Sequence, residues 1–238
     1  MNIKRIKRNV VLGILFFLPV TFLLFLYPST HNYNTLDVVH ENVIELDNFT
    51  LDSDIKLEKH ITILGFFGTN PLENLIAASN LKELVYDKFR GFKKFQIVIV
   101  LPESAKQDAE QLQKEISRFE ELKYWHFVFG KPEAVKNVYA SLMSDMALDN
   151  KLSSDNVFIV DKDLNQRGRL DDRTDNELQK GSEIYGLNSY NCIEVAVIKN
   201  KMSEDMRILF TEYRQKRKGN FDSSSRRDNE LKKQDEKN

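Results

Sequence analysis

With a single cysteine, Cys192, the chain has no intramolecular disulfide and no multi-cysteine metal centre. Its four histidines, His31, His40, His60 and His126, are scattered, and no two stand three or four residues apart to form a helical metal pair. Glycine is scarce, at nine residues, and neither a P-loop nor a dinucleotide-binding G-x-G-x-x-G occurs. An excess of either charge is also missing. Lys and Arg number 35 against 36 Asp and Glu, which removes any global electrostatic case for nucleic acid. No cofactor and no metal site is expected. The length of 238 residues gives room for one domain with appendages.

The first feature present is a long apolar run. Lys4, Arg5, Lys7 and Arg8 precede an uncharged stretch from Val10 to Tyr27. As a helix at ~1.5 Å per residue it reaches ~27 Å, near the hydrocarbon thickness of a bilayer. It exceeds the ~7–15 residues of a signal-peptide core, and YPSTH after it offers no small-x-small cleavage site. An uncleaved anchor is expected over 10–27. After the four basic residues on its N-terminal side, no Lys or Arg follows until Lys56. The positive-inside rule then leaves residues 1–9 in the cytoplasm and the rest of the chain outside. For a bacterial cell this means a single-pass inner-membrane protein with its soluble domain in the periplasm. Residues 28–41 read as a stalk, 42–217 as the folded domain, and the charged, apolar-poor 218–238 as a disordered tail whose mixed signs point to solvation.

Within the domain the organising stretch is Ile61 to Asn74, ITILGFFGTNPLEN. A β-branched and aromatic run stops at Gly68, turns, and meets Pro71, which suits the first turn of a helix. Leu72, Leu75, Ile76, Leu81, Leu84 and Val85 then follow at helical spacing to about Phe89. Phe95–Pro102 reads as a central parallel strand buried on both faces. Ser104 is the expected N-cap of a helix running to Leu122, with Ala105, Ala109, Leu112, Ile116 and Phe119 as its stripe. Tyr124–Phe129 is a strand, Glu133 to Met146 a helix, and Val157–Val160 a strand with a hairpin partner over Gln166–Leu170. Upstream, Val43–Leu51 alternates like a short strand pair or an extended edge segment, and Asp171–Ser189 reads as an irregular loop. Val195, Ile198, Met202, Met206, Leu209 and Tyr213 step by three and four, so a helix from about Cys192 to Lys216 is predicted. The sum is an α/β domain, a central mixed sheet flanked by helices, preceded by one transmembrane helix.

On these residues the chain resembles the Sco/SenC family, thioredoxin-fold, membrane-tethered proteins associated with copper delivery to cytochrome c oxidase. The matching pieces are DNFTLDS (47–53), ILGFFGTNP (63–71), IVIVLPES (97–104), YWHFVFGKPEAV (124–135) and VFIVDKDLNQRGRLDD (157–172), the last similar to versions from Bacteroidetes. The resemblance implies a thioredoxin-like fold and an active turn with C-P-x-x-C. That pair falls here on Asn70 and Asn74, with Pro71 kept between them, and the family's histidine falls near Ser153. Two amides and a hydroxyl are poor Cu(I) ligands and cannot exchange disulfides. The turn residues Gly68, Thr69, Asn70, Pro71 and Asn74 with Ser153 are therefore expected to form a contact surface. The catalytic set is expected to be empty. The leading reading is a non-enzymatic binding or assembly factor, its protein partner unidentified and, by the resemblance, associated with a respiratory membrane complex. The alternative is copper or thiol chemistry elsewhere, through Met143 and Met146, Met202 and Met206, or Cys192 as an intermolecular thiol.

Overall fold

The computed structural model describes residues 3–26, 35–50 and 55–218, in two units divided after Asn34. The first unit holds helix α1, Ile3–Leu26, with Pro19 inside it. Its side chains are described from Val11 to Phe22, where Val11, Leu12, Ile14, Leu15, Phe16, Phe17, Leu18, Val20 and Phe22 are all exposed. Among the described residues no helix is long and apolar enough to cross a membrane. The span expected over 10–27 extends past those residues, as do most of the stalk and the tail beyond Lys218.

The second unit is built on one sheet. In chain order it contains β1 (Asp37–His40), β2 (Ile61–Phe67), a 3-10 turn (Pro71–Asn74), α2 (Leu75–Leu81), a π-helical turn (Lys82–Tyr86) and α3 (Asp87–Phe89). Next come β3 (Phe95–Pro102), α4 (Lys106–Ile116), β4 (Trp125–Gly130), α5 (Pro132–Ala140) and β5 (Ser153–Val160). It closes with β6 (Gln166–Gly168), α6 (Asp175–Gln179), β7 (Tyr190–Asn191), a second π-helical turn (Val197–Met202) and α7 (Ser203–Lys218). The strand order is β1-β6-β5-β2-β3-β4, with β7 on β5. β2, β3 and β4 run parallel, while β5 is antiparallel to β2 and to β6.

Every residue of β2 and β3 is buried, as the near-continuous apolar runs require of strands covered on both faces. Because side chains alternate across a strand, the two strands feed two cores. Ile63, Ile97, Ile99 and Leu101 meet Ala78, Leu81 and Val85 of the helical run after β2, with Met206 and Leu209 of α7. Leu64, Phe66, Val98 and Val100 meet Val135, Val138 and Tyr139 of α5 and the incoming segment Val43, Leu46 and Phe49.

Several expectations need correction. Val43–Leu51, described as far as Thr50, contributes core side chains and among the described residues forms one isolated bridge, Thr50 to Phe129, rather than a strand pair. The Glu45 carboxylate accepts from the backbone N–H groups of Leu46, Leu57 and Glu58 at 2.8–2.9 Å, replacing a strand ladder. The strand lies earlier, at β1, inside the range read as stalk. Two helices stop short, each at a serine that bonds back to the preceding turn. Ser117 donates to Gln113 O at 2.6 Å, leaving Phe119 94% exposed. Ser141 donates to Val138 O at 2.7 Å, leaving Met143 and Met146 in an exposed loop. Ser104 sits within a 3-10 turn, Glu103–Ala105, with Pro102 at its N-cap. In the run after Pro71, tight 3-10 and wide π turns rotate the buried face onto Ala77, Ala78, Leu81 and Val85, so Leu75 and Ile76 are exposed. The last helix is helical from Val195, but its π turn puts Val195 on the surface while Ile198, Met202, Met206 and Leu209 are buried. The loop after β6 contains α6, closed by a Thr174–Glu177 capping box.

Candidate functional site

The turn that leaves β2 is shaped by Gly68. Its φ is +65°, and a Cβ there would stand 2.5 Å from the Lys151 carbonyl oxygen and 2.9 Å from Ser153 Cβ. Only glycine fits such a backbone at so close an approach. The chain is then pinned to the segment before β5, since Thr69 N–H donates to Lys151 O at 2.8 Å and Phe67 pairs with Ser153. Asp149 shapes that segment from below. Its Oδ1 accepts from the N–H groups of Lys151 and Ser153 at 2.9 and 2.7 Å.

The structure brings the sequence-derived residues together. Asn74, buried at the end of the 3-10 turn, donates from Nδ2 to Phe67 O at 3.0 Å and to Ser153 Oγ at 3.3 Å. Asn70 faces the other way, from Nδ2 to Glu73 Oε1 at 3.1 Å. Glu73 in turn holds Lys151 Nζ at 2.9 and 2.7 Å. That ammonium, and then Asn70, pull the Glu73 carboxyl below its ordinary range. Pro71 is buried beneath the turn.

Glu73, Lys151 and Asp149 complete this network, and sequence reasoning missed them. The Asn70-x-x-Glu73 spacing was the available signal, because it is that of a side chain reaching back across a first helical turn. Chemically the assembly offers amide donors, carbonyl acceptors and one ion pair. It has no thiol, no imidazole and no nucleophile next to a base. Among the described residues no group of three His, Cys, Asp or Glu is placed to hold a metal ion.

The strands around this turn have a recognisable connectivity. A β2–helix–β3 parallel unit is followed by an antiparallel β5–β6 hairpin and a closing helix, in spatial order β6-β5-β2-β3, with the β4–α5 unit inserted at the β3 edge. The fold is thioredoxin-like. No family model and no curated protein matches the chain. Solved structures similar to it include BsSco, a member of the Sco family of cytochrome c oxidase assembly proteins, at TM-score 0.48 and 12% identity over 75% of this chain and 99% of that one. Apo Sco1 from Thermus thermophilus aligns at TM-score 0.43 and 14% identity, over 76% and 99% of the two chains. The thioredoxin domain of a thiol-disulfide oxidoreductase from Bacteroides vulgatus aligns at 0.36 and 16%, over 64% and 100%.

Cys192 corrects the idea of an intermolecular thiol. It is fully buried, its Sγ donates to Asp155 O at 2.7 Å, and burial pushes the thiol up to about 12. A protonated core thiol is neither a nucleophile nor accessible to a second chain. Of the methionine pairs, Met202 and Met206 belong to the core, whereas Met143 and Met146 do not lie on a helix.

Beside the turn is an apolar surface. Leu75 and Ile76 follow Asn74 directly and are exposed, Ile76 by 64%. One turn along the helix, Asn80 Nδ2 donates to the carbonyls of Cys192 and Ile193, which ties the exposed Ile193 to the same face.

Proposed function

We propose that this protein is a thioredoxin-like binding or assembly factor, anchored in the bacterial inner membrane by the apolar run Val10–Tyr27, with its domain in the periplasm and no thiol or copper chemistry at the turn after β2. The observation that carries the reading is the closed amide network. Asn74 bridges Phe67 O and Ser153 Oγ, and Asn70 bonds Glu73, at the positions where the resembling family presents sulfur and imidazole. The exposed Leu75, Ile76 and Ile193 next to that network supply the apolar part of a protein contact. Anchoring draws on the basic flank, the run Val10–Tyr27 and the all-round exposed apolar side chains of α1. A respiratory membrane complex is the partner suggested by the resemblance.

The test uses the full chain in its native membrane with a photocrosslinking residue at Ile76 and, as control, at Glu110 on α4. A discrete adduct from position 76 and none from 110 is expected, together with no reduction of insulin disulfides by the purified protein. Disulfide turnover, or stoichiometric Cu(I) binding lost in Asn70→Ala/Asn74→Ala, would overturn the reading. Cu(I) binding lost instead in Met143→Leu/Met146→Leu would favour the alternative, copper handling by the exposed loop methionines.

A further inference from the structure

At the opposite end of β2 from the amide turn lies a groove of about 840 Å³ between the start of β2, the segment before β3 and the last turns of α7. Its floor is aromatic. Phe92 stacks on Phe210 at 4.3 Å, and Tyr213 carries Lys162 Nζ over its ring at 4.6 Å. Its rim is cationic, with Lys93, Lys162, Arg214 and Arg217 drawn from three separate segments of chain. The carboxylates at this end are already engaged. Asp161 and Glu212 hold the buried Arg167 at 2.9 and 2.6 Å, Glu212 also holds Lys216 at 2.7 Å, and Asp163 accepts from the Tyr213 hydroxyl at 3.3 Å. The four rim cations make no ion pair among the described residues. Burial, and then the Arg217 charge, lower the Lys162 ammonium's affinity for its proton, and the Asp163 carboxylate only partly offsets them.

The position of this groove on the chain says what fills it. Arg167 Nη2 donates to Leu36 O at 2.5 Å and to Glu212 at 2.6 Å, so the domain begins, at Thr35 and Leu36, beside the residue that precedes Tyr213. In sequence, residues 28–34 separate this point from the apolar run. Several separated cations around amphipathic rings, at the point where the chain leaves for its apolar segment, match a surface of many anions better than one small ligand. We infer that this groove docks on anionic lipid headgroups, so that the basic end of the sheet rests on the membrane and the Gly68–Asn74 turn faces away from it. The inference builds on the anchored reading above but concerns a different end of the domain and a separate interaction.

The test places the full chain in lipid nanodiscs, either neutral phosphatidylcholine or with ~30% phosphatidylglycerol, and follows acetylation of lysines by mass spectrometry. Lys93 and Lys162 are expected to label about fivefold more slowly in the anionic discs, with Lys106 and Lys136 unchanged as references. The protection should vanish in ~0.5 M NaCl, where exposed charges are screened, and in the surface variant Arg214→Glu/Arg217→Glu. Equal labelling in both discs overturns the inference. So does equal protection in neutral discs by inorganic phosphate, which would assign the groove to a free anion, or by polyglutamate, which would assign it to an acidic protein. A chain that fails to co-elute with neutral discs counts against the anchor alone. The anionic arm still decides the groove, because peripheral docking protects the same lysines.

Discussion

The two ends of β2, roughly 20 Å apart along the strand, have solved the problem of polar side chains in opposite ways. At the Phe67 end Asn70, Glu73, Asn74, Lys151 and Ser153 bond to one another or to backbone. At the Ile61 end Asp161 and Glu212 are consumed by the buried Arg167, and Lys93, Lys162, Arg214 and Arg217 stand around an aromatic floor with no ion pair among the described residues. A thioredoxin-like turn that lacks sulfur is therefore not left as a vacancy, because each replaced group has an internal partner. The unsatisfied binding capacity lies at the other end. Under the proposed function, that contrast leaves partner contact at the turn mainly to apolar side chains and contact at the basic end to charge.

Predictions can break or sharpen the contrast. The largest effect is expected from Arg167→Met, which leaves Asp161 buried without a counter-charge and Glu212 with Lys216 alone. A loss of ~3–5 kcal/mol in urea unfolding is expected, and a loss near zero would mean the basic end is not organised around this residue. Gly68→Ala comes next, since the new Cβ meets the Lys151 carbonyl at a backbone conformation that disfavours side chains. It should cost ~1–3 kcal/mol, and a neutral effect would show the turn to be looser than its contacts indicate. Asn74→Ala removes the donor shared by Phe67 O and Ser153 Oγ and should cost ~1–2 kcal/mol by the same measurement. Asn70 is half-buried and bonded only to the exposed Glu73, so Asn70→Ala should shift the unfolding midpoint less than Asn74→Ala.

Much of the fold was legible in residue pattern. The buried runs at β2 and β3, the hairpin at Gln166 and the last helix all follow from periodicity that one dominant burial pattern enforces. What escaped was set by single polar side chains acting at a distance. The Glu45 carboxylate accepts from the backbone N–H groups of residues 12 and 13 positions away, turning an apparent strand into a non-ladder segment. Ser117 and Ser141 end helices whose apolar spacing continues past them. The π turns shift a face by a fraction of a turn, which no 3.6-residue template registers, so Ile76 and Val195 emerge where a stripe predicts burial. At the site, Asn70, Asn74 and Ser153 were identified by resemblance, and their juxtaposition follows from β5 pairing with β2. The basic groove was illegible because its cations come from positions 93, 162, 214 and 217, which only the folded sheet gathers at one end. Arg167 gave no sign of burial, since arginine is seldom buried unless paired, and its partners are Asp161 nearby and Glu212 far along the chain.

The smallest predicted effect tests the turn end most directly. Glu73 is exposed, yet its hydrogen bonds from Lys151 and then Asn70 hold its carboxyl below the ordinary value of 4.5. A carboxylate whose folded-state pKa is depressed adds stability that is present above the unfolded value and is lost as pH falls through the folded one. The contribution from this pair should therefore disappear only below pH 4.5, and it should be small because the pair is open to solvent. Carbon-13 titration of the Glu73 carboxyl should give a midpoint under 4.5 that moves back toward it in Lys151→Ala, and by less in Asn70→Ala. A midpoint at the ordinary value in the unmodified chain would mean that Lys151 is free in solution. The turn would then carry an unpaired cation of its own, and the contrast between the two ends of β2 would lose its basis.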